Sequence, residues 1–219
     1  MTSFKKSREI PIKEYSLSGS IVSIKNNEII EFESSLERDF ICLIEFDTDV
    51  IKYCHQPIKI YFNDDKNYYV PDFYVEYRNG KKEIIEIKYS DDILVNHDLY
   101  KNKFKAAKEF CQKNGIAFKI LTEIDIRNEY LENVKFLLRY SNSYRHGGVI
   151  PINSAKDIEL IKIKIKALKS STPNLLLNSI TDSLEKRAEL LYLIWYLVLL
   201  NEIKTDLKIK LTMNSKIWI

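Results

Sequence analysis

Apolar residues recur at helical spacing through Leu36, Phe40, Ile41 and Ile44, which predicts a first helix over about 35–46. Ser34 stands three residues before Glu37, the spacing of a capping box, and Asp47 to Asp49 reads as the helix end. Three strand-like runs follow, rich in β-branched and aromatic residues: Ile58 to Phe62, Tyr68 to Tyr77, and Glu83 to Tyr89. Polar turns at Asn63 to Asn67 and at Asn79-Gly80 separate them, so an antiparallel meander is expected. Helical spacing returns at Tyr100, Phe104, Ala107 and Cys111, predicting a helix over about 99–113 that stops at Asn114-Gly115. Ile116 to Leu121 reads as a fourth strand, and a strand that follows a helix in this way is expected to lie parallel to its neighbour. Thr122 caps a further helix that includes Tyr130 to Tyr140. Up to about Ile30 the chain offers only scattered basic residues and a turn at Ser18 to Ser20. The expected class is α/β, a mixed sheet flanked by helices.

A shift in composition at Ser141 to Gly148, with Ser-Asn-Ser and Gly-Gly, predicts a linker and a division into domains at 1–145 and 146–219. Helices are predicted beyond it at about 155–169, 174–180 and 183–201, then two short strands around Met213-Asn214-Ser215. Three helices followed by a hairpin describe a smaller, mainly helical, winged-helix-like domain. Leu190 to Leu200 is apolar on all sides, so that helix is expected to be buried rather than laid in a groove.

Composition narrows the function classes. With 45% hydrophobic residues among 219, and only five glycines and five prolines, the chain has material for packed cores and is no linker or collagen-like sequence. Three widely spaced cysteines without a CxxC pair argue against a disulfide framework or structural zinc, and suit a reducing compartment. Met1 to Ile10 is polar and basic, unlike a secretory signal, and the longest apolar run is far shorter than a membrane span. A soluble, cytoplasmic, bacterial protein without a membrane partner is expected. From Leu131 onward there are 14 Lys and Arg against 8 Asp and Glu, a balance of +6, while the first part carries −3. An acidic first part suits a cation site, and a basic second part suits a polyanion or an acidic partner, although ordinary solvated surfaces give the same counts.

The strongest chemical signal is Pro71-Asp72 followed, after thirteen residues, by Glu86-Ile87-Lys88. Alternate side chains of a strand share a face, so Glu86 and Lys88 project together, with the Ile87 carbonyl between them. A short hairpin brings Asp72 beside them, gathering two carboxylates and a lysine at one spot. Phosphodiester cleavage uses such groups: hard oxygen donors hold Mg²⁺, and a lysine orients water or stabilises developing charge. The competing reading is a solvent-facing Glu-Lys ion pair on a strand. Glu37 falls within the apolar arc of the first helix, where a carboxylate implies a cation or a hydrogen-bond network. Its place in the capping box gives an equally good account.

Other candidates are weaker. His55 and Gln56 precede Pro57 at the entry to the first strand-like run, with no Ser or Cys arrangement for nucleophilic catalysis. Tyr68, Tyr69, Phe73, Tyr74 and Tyr77 read as sheet packing, and Lys162, Lys164, Lys166 and Lys169 as a solvated helix face or phosphate contacts. No glycine-rich phosphate loop is present, which disfavours nucleotide hydrolysis.

Read together, several stretches resemble the TnsA family, the endonuclease subunits of heteromeric transposases, within the PD-(D/E)xK superfamily. They are Glu33-Ser34-Ser35-Leu36-Glu37-Arg38-Asp39-Phe40, Leu43-Ile44-Glu45-Phe46-Asp47, His55-Gln56-Pro57, Val70-Pro71-Asp72-Phe73, Ile85-Glu86-Ile87-Lys88 and Lys119 to Glu123. The resemblance covers about Ser7 to Asn128; the remainder is similar only in size, helical character and basic balance. It implies a restriction-endonuclease-like domain followed by a winged helix. It also implies Glu37, Asp72, Glu86 and Lys88 as the catalytic set. Glu37, Asp72 and the Ile87 carbonyl would be metal ligands, with Glu86 a further candidate, and Gln56 would support the site. The implied cofactor is one or two Mg²⁺ ions, replaceable by Mn²⁺. The implied activity is cleavage of the 5′ strands at transposon ends, alongside a DDE-type transposase and an AAA+ regulator. The alternatives are an independent restriction or repair nuclease of this superfamily, and a catalytically silent assembly module.

Overall fold

The computed structural model describes residues 18–63, 66–141 and 154–219. Apart from Ser141, the linker expected at Ser141 to Gly148 lies outside them. The chain divides into two compact units, Met1–Arg127 and Asn128–Ile219. The boundary between these units precedes the helix containing Tyr130. That helix turns Leu131, Val134, Leu137 and Leu138 into a core and associates with a later helix of the second unit.

The first unit opens with a hairpin, β1 (Gly19–Ser23) and β2 (Glu28–Phe32), which the sequence reading did not anticipate. Both strands mix apolar residues on their two faces, with Val22 paired to Ile29 and both exposed, so no clean alternation marks them. Helix α1 spans Ser35–Phe46, the range its periodicity predicts, and Ser34 caps it by accepting from the Glu37 N–H. Next comes β3 (Val50–His55), also unanticipated. Its register on the strand Phe73–Tyr77 shifts between Val50 and Lys52, leaving Ile51 and Lys52 both exposed, and such a bulge erases the period-two signal.

The expected meander is corrected. β4 (Ile60–Phe62) and β5 (Asn67–Tyr69) form a separate two-stranded hairpin. The run read as one strand over Tyr68 to Tyr77 breaks at Val70-Pro71-Asp72, and β6 (Phe73–Tyr77) restarts in a different sheet. Proline lacks the N–H a ladder needs, which accounts for the break. β6 turns at Asn79-Gly80, with Gly80 at φ 82°, into β7 (Lys82–Ile87). A short helix α2 (Ser90–Val95) precedes α3 (His97–Lys113). Gly115, at φ 65°, ends α3 with the Ile116 N–H donating to the Cys111 carbonyl at 2.9 Å, a Schellman closure. β8 (Ala117–Leu121) then pairs with β7 in parallel, as the helix-then-strand order predicts. Thr122 and Asp125 form a capping box on α4 (Glu123–Ile126).

The central sheet is mixed, in the order β3-β6-β7-β8. Phe40 of α1 packs against Phe73 on one face, ring centroids 5.1 Å apart. On the other, Tyr74, Ile84, Cys111 and Ile116 form a buried cluster beneath α3. Burial of such side chains stabilises by roughly 1.5–3 kcal/mol each. The β4–β5 hairpin covers α3 through Ile60, Tyr69 and Ala107.

The second unit contains α5 (Glu129–Leu138), α6 (Ser154–Leu168), β9 (Ser170–Ser171), α7 (Pro173–Asn178), α8 (Leu184–Leu199), β10 (Lys204–Thr205) and β11 (Ile217–Trp218). β11 lies between β10 and β9 in a small antiparallel sheet. The hairpin expected around Met213 is thus made of shorter strands, set farther apart in sequence. α8 buries Leu190, Leu193, Ile194, Trp195, Leu197 and Val198, in keeping with its apolar surface. No helix of the described residues is long and apolar enough to cross a membrane.

Asn133, buried on α5, fixes the segment between β10 and β11. Its amide donates to the carbonyls of Leu207 and Ile209, both at 2.9 Å, and accepts from the Leu211 N–H at 3.0 Å. Asn133→Ala strands all three backbone groups and should destabilise this unit by about 1–3 kcal/mol. Both tryptophans, Trp195 and Trp218, lie in the second unit, so denaturation followed by their fluorescence reads it selectively. An unchanged midpoint and slope would refute this account of the segment.

Glu83 of β7 is fully buried, with Lys81 and Lys119 each 2.7 Å from its Oε1 and the Tyr77 hydroxyl donating to Oε2 at 2.9 Å. Burial pushes its carboxyl up, but the bonds from Lys119, Lys81 and Tyr77 outweigh burial and hold it below the ordinary value. Its contribution is therefore fully present above the unfolded pKa of about 4.3 and is lost as pH falls through the lower folded value. Glu83→Gln should flatten the acid limb of melting temperature against pH for the first unit. An acid limb unchanged from wild type would show that this carboxylate does not set it.

Candidate active site

Pro71 interrupts the strand run and leaves Asp72 at a corner between β5 and β6, where it serves three partners at once. Its carbonyl accepts from the Gln56 N–H at 2.7 Å, and its Oδ2 accepts from the Ile87 N–H at 2.7 Å. The same oxygen takes the Lys88 ammonium at 3.2 Å. Asp72 thus immediately precedes a strand rather than lying within one, and its carboxylate closes the end of β7.

Lys88 follows β7, where its N–H donates to the Leu121 carbonyl at 3.2 Å and continues the parallel ladder. Its Nζ stands 2.9 Å from Glu86 Oε1, 3.2 Å from Asp72 Oδ2 and 3.0 Å from the Ile87 carbonyl. Three hard oxygens from three residues thereby surround one positive charge. Glu86 is 3% exposed, and its Oε2 accepts from the Tyr69 hydroxyl at 3.2 Å.

Glu37 lies in the first turn of α1 and acts as a cap. Its Oε1 accepts from the Ser34 hydroxyl and its Oε2 from the Glu33 N–H, each at 2.9 Å. The reciprocal bond of a capping box closes one residue earlier than expected, on Glu33 instead of Ser34. Gln56, buried and in the left-handed region at φ 47°, donates from its side chain to Glu33 Oε1 at 2.7 Å. Gln56 therefore joins the Asp72 corner, through its backbone, to the Glu33–Glu37 cap, through its side chain.

The electrostatics record this crowding. Burial, then the Asp72 carboxylate, push the Glu37 carboxyl up to about 7. Burial and Asp72 likewise push Glu86 up to about 8, against the opposing pull of Lys88 and Tyr69. Burial pulls Lys88 down, but Asp72 and Glu86 outweigh it and hold the ammonium above its ordinary value. Burial, then Glu86, raise the Tyr69 hydroxyl far above the ordinary tyrosine value. Burial and neighbouring carboxylate charge thus make Glu37 and Glu86 hold protons more tightly beside a single ammonium. An additional positive charge is what this donor set lacks, so a hard divalent cation fits it. Among the described residues, however, no three His, Cys, Asp or Glu side chains form a ready metal-binding group. The expected convergence of ligands is centred instead on the Lys88 ammonium.

Sequence alone assigns Tyr69 a packing role and Glu33 and Asp39 a place in a motif, but no site role to any of them or to Arg127. Arg127 Nε donates to Asp39 at 2.9 Å, its Nη2 donates to the Ser35 hydroxyl at 2.7 Å, and its guanidinium lies 5.5 Å from the Tyr89 ring centroid. These contacts tie the start of α1 to the residue after Lys88. Their signal in sequence is slight, because Tyr69 and Glu33 differ from neighbouring aromatic and acidic residues only in where they point. His55 is buried at the end of β3, and Tyr74 and Phe73 are core residues, as sheet packing implies.

Comparison with known families follows the two structural units. Residues 47–123 match a family described as TnsA-like endonuclease N terminal, and residues 125–207 match one described as TnsA endonuclease C terminal. The chain belongs to the TnsA endonuclease family. No curated protein matches it significantly. The first match includes Gln56, Asp72, Glu86 and Lys88 and excludes Glu37, whose case rests on the geometry of α1. The second extends the likeness to a region where the sequence alone offers only size, helical character and basic balance. The junction of the two matches, between 123 and 125, lies close to the division of units at Arg127.

The left-handed backbone at Gln56 gives a test of the corner. Gln56→Ala loses the bond to Glu33 and keeps a Cβ in a conformation that costs about 1–2 kcal/mol for an L-residue. Gln56→Gly loses the same bond without that strain. The glycine variant should be the more stable of the two by about 1 kcal/mol in denaturant unfolding. The reverse order would show that Gln56 does not hold this conformation.

Proposed function

We propose that this TnsA-type endonuclease is the metal-dependent subunit of a heteromeric transposase and cleaves the 5′ strands at transposon ends. The observation that carries the reading is the set of three oxygens, from Asp72, Glu86 and the Ile87 carbonyl, around the Lys88 ammonium. Family membership supports DNA as substrate and a transposase as partner. A DDE-type transposase that cuts the 3′ strands, and an AAA+ regulator, complete the proposed assembly.

In this reading Asp72, Glu37 and the Ile87 carbonyl hold Mg²⁺ or Mn²⁺, with Glu86 beside them. When bound, such a cation neutralises phosphate charge and lowers the pKa of a water. Lys88, within reach of Asp72, Glu86 and the Ile87 carbonyl, would serve as a positive charge and hydrogen-bond donor toward the scissile phosphate. The scissile phosphate competes with Asp72 and Glu86 for that ammonium. Tyr69 holds Glu86 in one orientation, and Gln56 holds Asp72 relative to α1. The second unit, read as a winged-helix-like domain, docks the protein partners, with DNA contact limited to phosphates.

Asp72→Asn retains an acceptor for the Ile87 N–H, and Lys88→Ala removes the ammonium. Each should lower strand cleavage by at least about 10²–10³-fold in a reconstituted reaction with Mg²⁺, a transposon-end duplex and the partner transposase. Circular dichroism would verify folding. Wild-type cleavage rates from either folded variant would sink the assignment.

A further inference from the structure

The β4–β5 hairpin has two faces with different chemistry. Inward, Tyr69 reaches Glu86 and packs with Ile60 against α3. Outward, Tyr61 and Tyr68 stand opposite each other in the ladder, 53% and 52% exposed, with ring centroids 5.9 Å apart. Lys59 Nζ lies 4.7 Å from the centre of the Tyr68 ring. Each tyrosine leaves about half of its surface open to solvent.

Beside them runs a groove of about 450 Å³ between the hairpin and α3. Lys59 and Tyr61 line it from the hairpin, and Lys105, Lys113 and Asn102 line it from the helix. Glu109 is the one carboxylate among its described lining residues, and it stands 3.9 Å from Lys105. α3 carries five lysines, Lys101, Lys103, Lys105, Lys108 and Lys113, against Asp98 and Glu109. Of these, Lys105 and Lys113 line the groove, about 12 Å apart along the helix axis, the length of roughly three to four nucleotide steps.

Basic residues along a groove, with exposed aromatic rings at its border, fit a single nucleic-acid strand: lysines meet the phosphates and rings stack on unpaired bases. We propose that the groove between α3 and the β4–β5 hairpin binds an unpaired DNA strand, with Lys59, Lys105 and Lys113 on its backbone and Tyr61 and Tyr68 on its bases. The proposal deepens the DNA-nuclease reading and rests on it for the identity of the polyanion. The hairpin gives the groove its link to the site, because Tyr68, which meets the strand, is the chain neighbour of Tyr69, which holds Glu86.

The test is binding of the full chain to a fluorescently labelled single-stranded oligonucleotide, followed by anisotropy in EDTA over a salt series. Wild type should bind at about 50 mM salt and weaken steeply toward about 200 mM. Lys59→Gln/Lys105→Gln/Lys113→Gln changes only groove-lining surface lysines. It should reduce the magnitude of the slope of log affinity against log salt by about 2, since each phosphate that a lysine no longer neutralises removes about 0.7. Tyr61→Ala/Tyr68→Ala should weaken binding about tenfold or more at unchanged slope, because stacking releases no counterions. Absence of wild-type binding at the lower salt, a lysine variant with wild-type slope, or a tyrosine variant with wild-type affinity would each overturn the proposal. Because the measurement needs no cleavage, its failure leaves the reading of Asp72 and Lys88 standing, and failure of that reading leaves the binding result intact.

Discussion

The first unit depends on the carboxylate of Asp72 meeting the end of β7. One oxygen takes both the Ile87 N–H and the Lys88 ammonium, while the carbonyl of the same residue takes the Gln56 N–H. A strand end normally leaves backbone donors to water. Here a side chain supplies the missing acceptor, and in doing so fixes where Lys88 stands. Pro71 is the reason Asp72 is available for this: it ends one ladder before the next begins, and so frees a residue to turn inward.

Opposing forces of comparable size meet around that corner. Burial acts against charge on Glu37, Glu86 and Lys88 alike, and only the ammonium gains enough from its neighbours to remain fully charged. The site is therefore poor in positive charge by construction. The same logic at the far end of β7 has the opposite outcome. Glu83 is just as buried, yet two lysines and a tyrosine converge on it and keep it ionised. One strand thus carries a carboxylate held ionised and another pushed toward protonation, three residues apart and on opposite faces.

Much of this was legible in the sequence, and the exceptions have physical causes. The apolar spacing of α1 and α3, the Schellman glycine and the parallel β8 are local signals that tertiary contacts reinforced. The hairpin β1–β2 and the edge strand β3 were missed because two-sided apolar character and a bulge destroy alternation. Pro71 stands in the sequence as part of a motif, which masks the strand break it also makes. The spacing of Asp72, Glu86 and Lys88 marked a shared locality, whereas Tyr69 and Glu33 could not be told from their neighbours without knowing which way each points. Charge counted along the chain gave −3 for the first part, and so concealed five lysines gathered on one helix. Glu37 is where two readings of a single residue both find support: it caps α1 through Ser34 and Glu33, and it shares the crowded field of Asp72.

The surroundings of Lys88 are assembled from segments far apart in the chain, and the last to arrive is β8, whose Leu121 carbonyl receives the Lys88 N–H. A ribosome makes these segments in order, α1 first and β8 last. Until residue 121 has emerged, β7 lacks its parallel neighbour and the lysine has no ladder to hold it. A chain halted before residue 121 therefore carries the acids of the site without the strand that receives the Lys88 N–H.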